Sequence, residues 1–179
     1  MGPSPHVRVL IRTRSGKESI LRDIRDGEFF GELAAIDGQP RSATIVALTD
    51  TIIARMPPDV FRQTVHRHPD VCNQLLLLLA SQVRMLANRV SEFSAFDVRG
   101  RIHAELLRLS RPARGGDKHA VISPPPTHAE LAARVNTHRE AVTRELNRLK
   151  KAGLLERRRG ALVLLDRPQL ANLLDQTAL

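Results

Sequence analysis

The chain of 179 residues is poor in cysteine and in aromatic side chains: it has one cysteine, no tryptophan and no tyrosine. A single cysteine cannot form a disulfide within the chain and cannot supply a cysteine-ligated zinc or iron–sulfur site. That residue, Cys72, lies in an apolar helical pattern and is expected to be a buried structural thiol. Since aromatic residues make up only 3% of the chain, aliphatic side chains must fill the core.

Long hydrophobic runs are also absent. The longest, LLLLLA at 75–80, is too short to span a bilayer, and no apolar signal-peptide segment follows the N-terminal MGPSPHVRV. We therefore expect a cytoplasmic, reducing location and no membrane partner. No Ser/His/Asp, paired-carboxylate or metal-spaced constellation stands out, so we expect neither an enzyme nor a metal site.

The charge balance is strongly basic. Lys and Arg number 28 against 19 Asp and Glu, which gives a net charge of +9 and an isoelectric point of about 11.2. A basic chain of this size favours a polyanionic partner, with nucleic acid first and an anionic membrane surface second. A generally arginine-rich proteome is the alternative explanation.

The first third of the sequence has the pattern of a β-rich module. Apolar residues alternate at Val7, Val9 and Ile11, and SILRDI (19–24) predicts a second strand after a turn at 14–18. Two further strands are predicted at ATIVAL (43–48) and TIIARM (51–56). Four or five strands are too few to close a sandwich or barrel.

Two helices are predicted next. PPDVFRQTVHRHP (57–69) has the pattern of a short helix, and residues 70–96 form a long helical pattern without Gly or Pro. This pattern contains apolar residues spaced alternately three and four apart, which is typical of a helix that pairs with another helix. Ordinary packing on the chain's own sheet is the alternative, and Leu75 and Leu78 supply a second stripe for it. We expect this helix to pack on the sheet with one stripe and to pair with the same helix of a second chain with the other. The stripe that pairs with the second chain, the dimer seam, is formed by Leu76, Leu79, Val83, Leu86, Val90 and Phe93.

The last part of the chain predicts a helix-turn-helix after a helix at 97–110, a loop at 111–119 and a short strand from residue 120. Thr127 and Glu130 have the spacing of a capping box, and Asn136 can adopt the left-handed conformation of a tight turn. Thr137 and Glu140 predict a second capping box. Apolar residues of the second helix face inward: Val142, Leu146 and Leu149.

The second of these helices presents a polar face suited to the major groove of DNA. Arg139, Thr143 and Asn147 step by four, and Glu140 and Arg144 lie one residue further on. Arginine can bond guanine bidentately, and glutamate can accept from cytosine N4. The alternative is a solvated face with a Glu140–Arg144 ion pair. Against it, ERRRGALVLL (156–165) predicts a β-wing whose Arg157, Arg158 and Arg159 are available for phosphates.

Residues 30–44, FGELAAIDGQPRSAT, hold one acid, Glu32, and one arginine, Arg41, nine residues apart between two strands. A turn needs neither charge, whereas a small anionic ligand that carries hydroxyl groups would need both. The glycines and the proline around them allow the backbone to turn tightly.

The order of a strand-rich module, a long heptad helix and a winged helix-turn-helix resembles the cyclic-AMP receptor protein (CRP/FNR) family of bacterial transcription regulators. Its most specific part is FGELAAIDGQPRSAT, which is similar to that family's phosphate-binding cassette. The resemblance implies a cyclic nucleotide as allosteric effector, cAMP foremost. It implies that Glu32 takes the ribose hydroxyl and that Arg41 takes the cyclic phosphate. The other implied contacts come from the cassette residues Gly31, Leu33, Ser42 and Ala43.

The resemblance also implies the DNA contacts and the partners. The family's R-E-x-x-x-R pattern falls on Arg139, Glu140 and Arg144, which would read bases. FDVRGRI (96–102) is similar to the family's hinge. The implied partners are double-stranded DNA, a second copy of the chain and RNA polymerase. Further DNA-binding positions are expected at Thr127, His128, His138, Thr143 and Arg158.

Two departures from the family pattern matter. The cassette begins at residue 30, earlier than in the family, so we expect a nucleotide module that lacks its first strands. Family members that bind cAMP place polar residues of the long helix against the base, whereas those positions are Leu86 and Ala87 here. Another cyclic nucleotide, an effector-independent or truncated DNA-binding protein, and a nucleotide-binding module that acts on a protein partner are therefore the alternatives.

The expected fold is α+β. It comprises a partial cyclic-nucleotide-binding β-roll at 1–69, incomplete at its N-terminus, a dimerisation helix at 70–96 and a winged helix-turn-helix domain at 97–179.

Overall fold

The computed structural model describes residues 7–13, 16–113 and 116–175. The chain forms two compact units, Met1–Arg89 and Val90–Leu179. Residues 14 and 15 of the predicted first turn lie outside the described residues. Among those that are described, no helix combines the length and the apolar character needed to cross a membrane.

The first unit is built on a three-stranded antiparallel sheet. Its elements, in chain order, are β1 (Val7–Arg12), β2 (Glu18–Ile24), α1 (Glu32–Asp37), β3 (Thr44–Ala47) and α2 (Pro58–Arg67). The strands lie in the order β2-β1-β3, and the buried face of the sheet is formed by Val7, Leu10, Ile20 and Ile24.

The buried face of β1 differs from the one predicted by simple alternation. The register between β1 and β2 shifts between Val9 and Leu10. The extra residue of this bulge is Leu21 of β2, which has no partner in β1. In β1, Leu10 is buried and Ile11 is exposed. The strand prediction is confirmed, but the inward-facing set changes after Val9.

The strand predicted at 51–56 is wrong. This segment has no regular structure; Ile52 is fully exposed, and Ile53 and Met56 are more than half exposed. In the part of the chain that the structure describes, β3 pairs only with β1, and no strand lies beside residues 51–56. A β-prone sequence without a hydrogen-bonding partner does not form a strand.

The long helix α3 runs from Pro69 to Ala95, one residue earlier at each end than predicted. Its 27 residues contain no glycine and no proline after the first position, so nothing interrupts the hydrogen bonds of the helix. Leu75 is its one buried residue. Cys72 is half-buried, not buried as expected.

The second unit packs helices against a four-stranded antiparallel sheet. Its elements are α4 (Val98–Leu109), β4 (Arg111–Ala113), β5 (Gly116–Ile122), α5 (His128–Arg134), α6 (Arg139–Lys151), β6 (Leu155–Arg158), β7 (Ala161–Leu164) and α7 (Arg167–Asp175). The strands lie in the order β4-β5-β7-β6. Aliphatic side chains fill the core, as predicted, and include Ile102, Leu106, Leu131, Val142, Leu149, Leu164 and Leu170.

The predicted loop at 111–119 is wrong. β4 and β5 pair in antiparallel fashion, with Arg111 opposite Val121, and β5 continues the sheet by pairing with β7. Charged residues, proline and glycine conceal these strands in the sequence, since the pairing between β4 and β5 stabilises them more than their own propensity does. Helix α7 was not predicted either.

Candidate functional site

The cassette at 30–44 folds into a closed loop around a short helix. Gly31 precedes α1 with a φ of 85°, in the left-handed region, and Arg41 Nη1 donates a 2.8 Å hydrogen bond to the Gly31 carbonyl. A Cβ atom at position 31 would lie 2.3 Å from Arg41 Nη1. The left-handed backbone conformation favours glycine at this position, and a Cβ atom there would displace the guanidinium group of Arg41.

Glu32 is the first residue of α1, and its side chain is only 7% exposed. Gln82 of α3 donates through Nε2 to Glu32 Oε1 at 3.3 Å. Sequence reasoning missed Gln82; the signal available was a polar residue between apolar positions of a long helix. A nearly buried carboxylate with a single donor among the described residues retains the capacity to accept hydrogen bonds from a ligand.

The other cassette residues surround this pair. Leu33 is exposed in α1, Ser42 is exposed directly after Arg41, and Ala43 is half-buried. A second helix holds the far side of the loop, because Arg62 of α2 donates to the Ala35 carbonyl at 3.0 Å. The structure thus brings together Gly31 and Arg41, with Glu32 next to the glycine in the chain.

The helix-turn-helix begins with the capping box that the sequence predicts. The Thr127 hydroxyl accepts from the Glu130 amide at 3.2 Å, and the Glu130 carboxylate accepts from the Thr127 amide at 2.7 Å. Asn136 has a φ of 52°, which confirms the left-handed turn between α5 and α6.

The second predicted capping box is wrong. Helix α6 begins at Arg139 and its N-cap is His138, which makes no side-chain capping bond. Thr137 lies outside the helix, where its amide donates to the Ala132 carbonyl at 3.0 Å. Since Glu140 is then the second helical residue, it does not have the spacing that a capping box requires.

Helix α6 divides cleanly into a buried face and an exposed face. Val142, Leu146 and Leu149 are buried, as predicted. Glu140 and Arg144 are both exposed, and these two described residues form no ion pair with each other, which argues against a self-neutralised solvated face. An open hollow on this face is lined by Arg139, Glu140, Thr143 and Arg144.

Thr143 connects the two helices of the motif. His128 Nδ1 of α5 lies 2.7 Å from Thr143 Oγ1, and that hydroxyl donates to the Arg139 carbonyl at 3.0 Å. The hydroxyl hydrogen is therefore used, so His128 is the donor in its contact. Burial lowers the pKa of His128, and the charges of Arg139, Lys150 and Arg157 lower it further.

The wing is the hairpin of β6 and β7, as predicted, with Gly160 at a φ of 71° in the turn. Arg158 donates through Nε to Glu156 Oε2 at 3.0 Å, so part of its charge is offset. Arg157 and Arg159 are exposed beside it. Sequence reasoning missed this pair, although two opposite charges two residues apart on a strand lie on the same face.

The heptad positions of α3 form an apolar stripe that is largely uncovered in the single chain. Val83 and Val90 are each 66% exposed, and Leu76 is 59% exposed. Leu86 and Phe93 are also exposed, whereas Leu79 is half-buried. Within the described ranges, no cluster of three His, Cys, Asp or Glu residues could hold a metal ion.

Comparisons with known proteins agree with this geometry. The model of the cyclic nucleotide-binding domain matches residues 4–68, and the model of the Crp-like helix-turn-helix domain matches residues 100–173. The cAMP-activated global transcriptional regulator CRP of Escherichia coli O157:H7 is 32% identical over 150 residues, which cover 83% of this chain and 71% of that protein.

Two more distant relatives extend the comparison. A CRP-like cAMP-activated global transcriptional regulator of Mycobacterium tuberculosis is 28% identical over 144 residues, or 80% of this chain and 64% of that protein. The crystal structure of a CRP/FNR-family transcriptional regulator from Thermus thermophilus superposes with a TM-score of 0.74 at 27% identity. That match covers 97% of this chain and 86% of the other.

Proposed function

The chain belongs to the CRP/FNR family of DNA-binding transcription regulators, and from that premise we propose that a cyclic nucleotide held by Glu32 and Arg41 controls its binding to DNA. The observation that carries this proposal is the folded cassette. Gly31, Glu32 and Arg41 are held in one closed loop by the hydrogen bond from Arg41 to Gly31.

The chemistry of the two charged groups fits a cyclic nucleotide. One amino group of Arg41 is engaged with Gly31, and its other amino group has no hydrogen-bond partner among residues 7–13, 16–113 and 116–175. That group can bind a phosphate oxygen by a charge-assisted hydrogen bond. Glu32 can accept from a ribose hydroxyl, and backbone amides near Ser42 and Ala43 add donors for the phosphate.

We propose cAMP as the effector because the curated relatives are described as cAMP-activated. The positions at which the family reads the base are Leu86 and Ala87, both exposed in the single chain. Because the side chains of Leu86 and Ala87 are apolar, they cannot form hydrogen bonds with the base. We therefore expect weak discrimination between cAMP and cGMP.

The DNA-binding face that we propose is the exposed side of α6. Arg139, Glu140 and Arg144 read bases, and Thr127, His128 and His138 lie near the DNA backbone together with Arg158 of the wing. Thr143 supports this surface through its contacts with both helices. The hollow lined by Arg139, Glu140, Thr143 and Arg144 supports this assignment, since all four side chains converge at one side of the helix.

The active form that we propose is a homodimer paired along α3. Exposed apolar residues at heptad spacing favour a helix–helix partner, and a second copy offers the same stripe. A two-fold dimer presents two copies of α6, which suits successive major grooves of a palindromic site. RNA polymerase is the further partner that we propose for the DNA-bound dimer.

Calorimetric titration with cAMP and with cGMP tests the effector. We expect the wild-type chain to bind and Arg41→Ala to lose binding, with Arg55→Ala as a control at an exposed arginine of the same unit. A folded wild-type dimer that binds neither nucleotide would contradict the proposal. It would favour the alternative of an effector-independent DNA-binding protein, in which the cassette has only a structural role.

The DNA contacts are tested separately. Arg144→Ala should relax sequence preference by roughly 1–3 kcal/mol at one base position. An unchanged preference would contradict base reading by α6. It would favour a nucleotide-binding module that acts on a protein partner.

A further inference from the structure

A buried polar pair connects α4 to α6 in the core of the second unit. His103 of α4 is wholly buried, and its Nε2 lies 2.5 Å from Oε1 of Glu145, which is 4% exposed. The two residues are 42 positions apart in the chain. Neither has a role in the site described above, and polar groups buried among aliphatic side chains are costly unless they are paired.

The direction of this hydrogen bond follows from the charge of Glu145. Burial raises the pKa of this carboxyl group, but hydrogen bonds from His103 and Arg148 outweigh burial and lower it to about 2. Arg148 reaches the carboxylate through Nη2 at 2.7 Å and through Nε at 2.9 Å. Glu145 is therefore ionised at neutral pH, and the Nε2 hydrogen of His103 is donated to it.

The pair lies at a sensitive place on α6. Glu145 directly follows Arg144, and successive residues of an α-helix are about 100° apart around its axis. When Glu145 is fixed toward α4, the direction in which Arg144 leaves the helix is fixed as well. Glu140 and Arg139, about one turn or more earlier, turn with the same rigid helix.

Besides the hydrogen bond between His128 and Thr143, which links α6 to α5, the contacts of α6 with the core do not provide this directional control. Val142, Leu146 and Leu149 are buried aliphatic residues, and hydrophobic contacts are non-directional. They resist separation of the helix from the core but resist a small rotation weakly. A charge-assisted hydrogen bond with nearly buried partners depends strongly on distance and angle.

We propose that His103 and Glu145 are positioning residues that set the rotation of α6, and thereby the sequence preference of the protein for DNA. The inference rests on the proposed role of α6 as the helix that reads bases. Replacing a buried, hydrogen-bonded polar pair by apolar groups often leaves a fold as stable as before, so stability alone does not account for a pair at this position.

The test uses the full chain with cAMP present and a pool of double-stranded DNA with a randomised central segment. After selection with the wild-type protein, the affinity of each variant is measured for the most enriched duplex and for a scrambled duplex of equal composition. The dissociation constant for the scrambled duplex divided by that for the enriched duplex is the specificity ratio, and a lower ratio means lower specificity. The variants are His103→Leu, His103→Gln, Arg144→Ala and, as a matched control, Ile102→Ala, which creates a cavity at the adjacent buried position of α4.

We expect His103→Leu to lower the ratio about tenfold, as loss of one base contact would, with affinity for the scrambled duplex and its salt dependence unchanged. His103→Gln keeps a donor and should retain most of the ratio. Ile102→Ala should lower the melting temperature and leave the ratio intact. If His103→Leu does not fold, the double variant His103→Leu with Glu145→Leu carries the same expectation, since it leaves no buried charge unpaired.

An unchanged ratio in the folded His103→Leu or double variant, while Arg144→Ala lowers it, would overturn the inference and leave base reading by α6 standing. An equal fall in His103→Leu and Ile102→Ala would also overturn it, because the pair would then act only through stability. An unchanged ratio in Arg144→Ala would instead show that the proposed role of α6 is wrong.

Discussion

Substituting Glu145 by glutamine should destabilise the protein strongly at neutral pH. The carboxylate accepts hydrogen bonds from His103 and Arg148 in a site that is 4% exposed, and these bonds hold its pKa at about 2 against an ordinary value of 4.5. At about 1.4 kcal/mol for each pH unit between those two values, the ionised group stabilises the folded state by about 3 kcal/mol. Glutamine has nearly the same shape and reproduces the uncharged form.

The sign of the pH dependence follows from the lowered pKa. The contribution of Glu145 is fully present above pH 4.5, where the unfolded chain is also ionised, and it is lost as the pH falls toward 2. The difference in free energy of unfolding between wild type and Glu145→Gln should therefore be about 3 kcal/mol at pH 7 and should shrink below pH 4.5.

Urea denaturation followed by circular dichroism, at one protein concentration and at several pH values, measures this difference. Glu140→Gln is the matched control, because Glu140 is an exposed acid of the same helix and should change stability by less than about 0.5 kcal/mol. A loss in Glu145→Gln that stays constant from pH 7 to pH 3, or no loss at pH 7, would refute the reasoning.

Three further substitutions follow from local geometry. Gly31→Ala introduces a Cβ atom 2.3 Å from Arg41 Nη1 at a backbone φ of 85°. Calorimetry should therefore show lost or much weaker nucleotide binding. Wild-type affinity in this variant would contradict the close approach of Arg41 to Gly31. Val83→Asp puts a charge on the exposed α3 stripe and should convert the proposed dimer to monomer in analytical ultracentrifugation. Asn88→Asp, also exposed on that helix, should leave the association state of the wild type unchanged. Thr127→Ala removes the N-cap side chain of α5 and should lower the free energy of unfolding by about 1 kcal/mol. An unchanged free energy of unfolding would show that the capping box does not stabilise the fold.

The sequence predicts the helices of this protein better than its strands. A continuous apolar periodicity without glycine or proline predicts α3, and the Thr127–Glu130 spacing predicts the start of α5, because both signals are local. Strand formation depends on a partner elsewhere in the chain. Residues 51–56 look like a strand but have no neighbouring strand in the described residues, whereas Arg111–Ala113 do not look like one and gain a neighbour in β5.

The same distinction applies to the candidate site. The spacing and residue types of the cassette single out Glu32 and Arg41, but the hydrogen bond from Arg41 back to Gly31 depends on a loop conformation that no local rule gives. Contacts over long sequence separations were not predictable. Gln82 reaches Glu32 from 50 residues away, and His103 reaches Glu145 from 42 residues away.

In the mechanism that we propose, a nucleotide in the cassette changes how tightly the protein binds DNA. The most direct measurement is the fluorescence anisotropy of a labelled duplex, selected from a randomised pool, titrated with wild type and with Arg41→Ala at increasing cAMP concentrations. We expect cAMP to raise the DNA affinity of the wild type, typically about five- to 150-fold for an allosteric effector, and to leave that of Arg41→Ala unchanged. Equal DNA affinity of the two proteins at every cAMP concentration would contradict it.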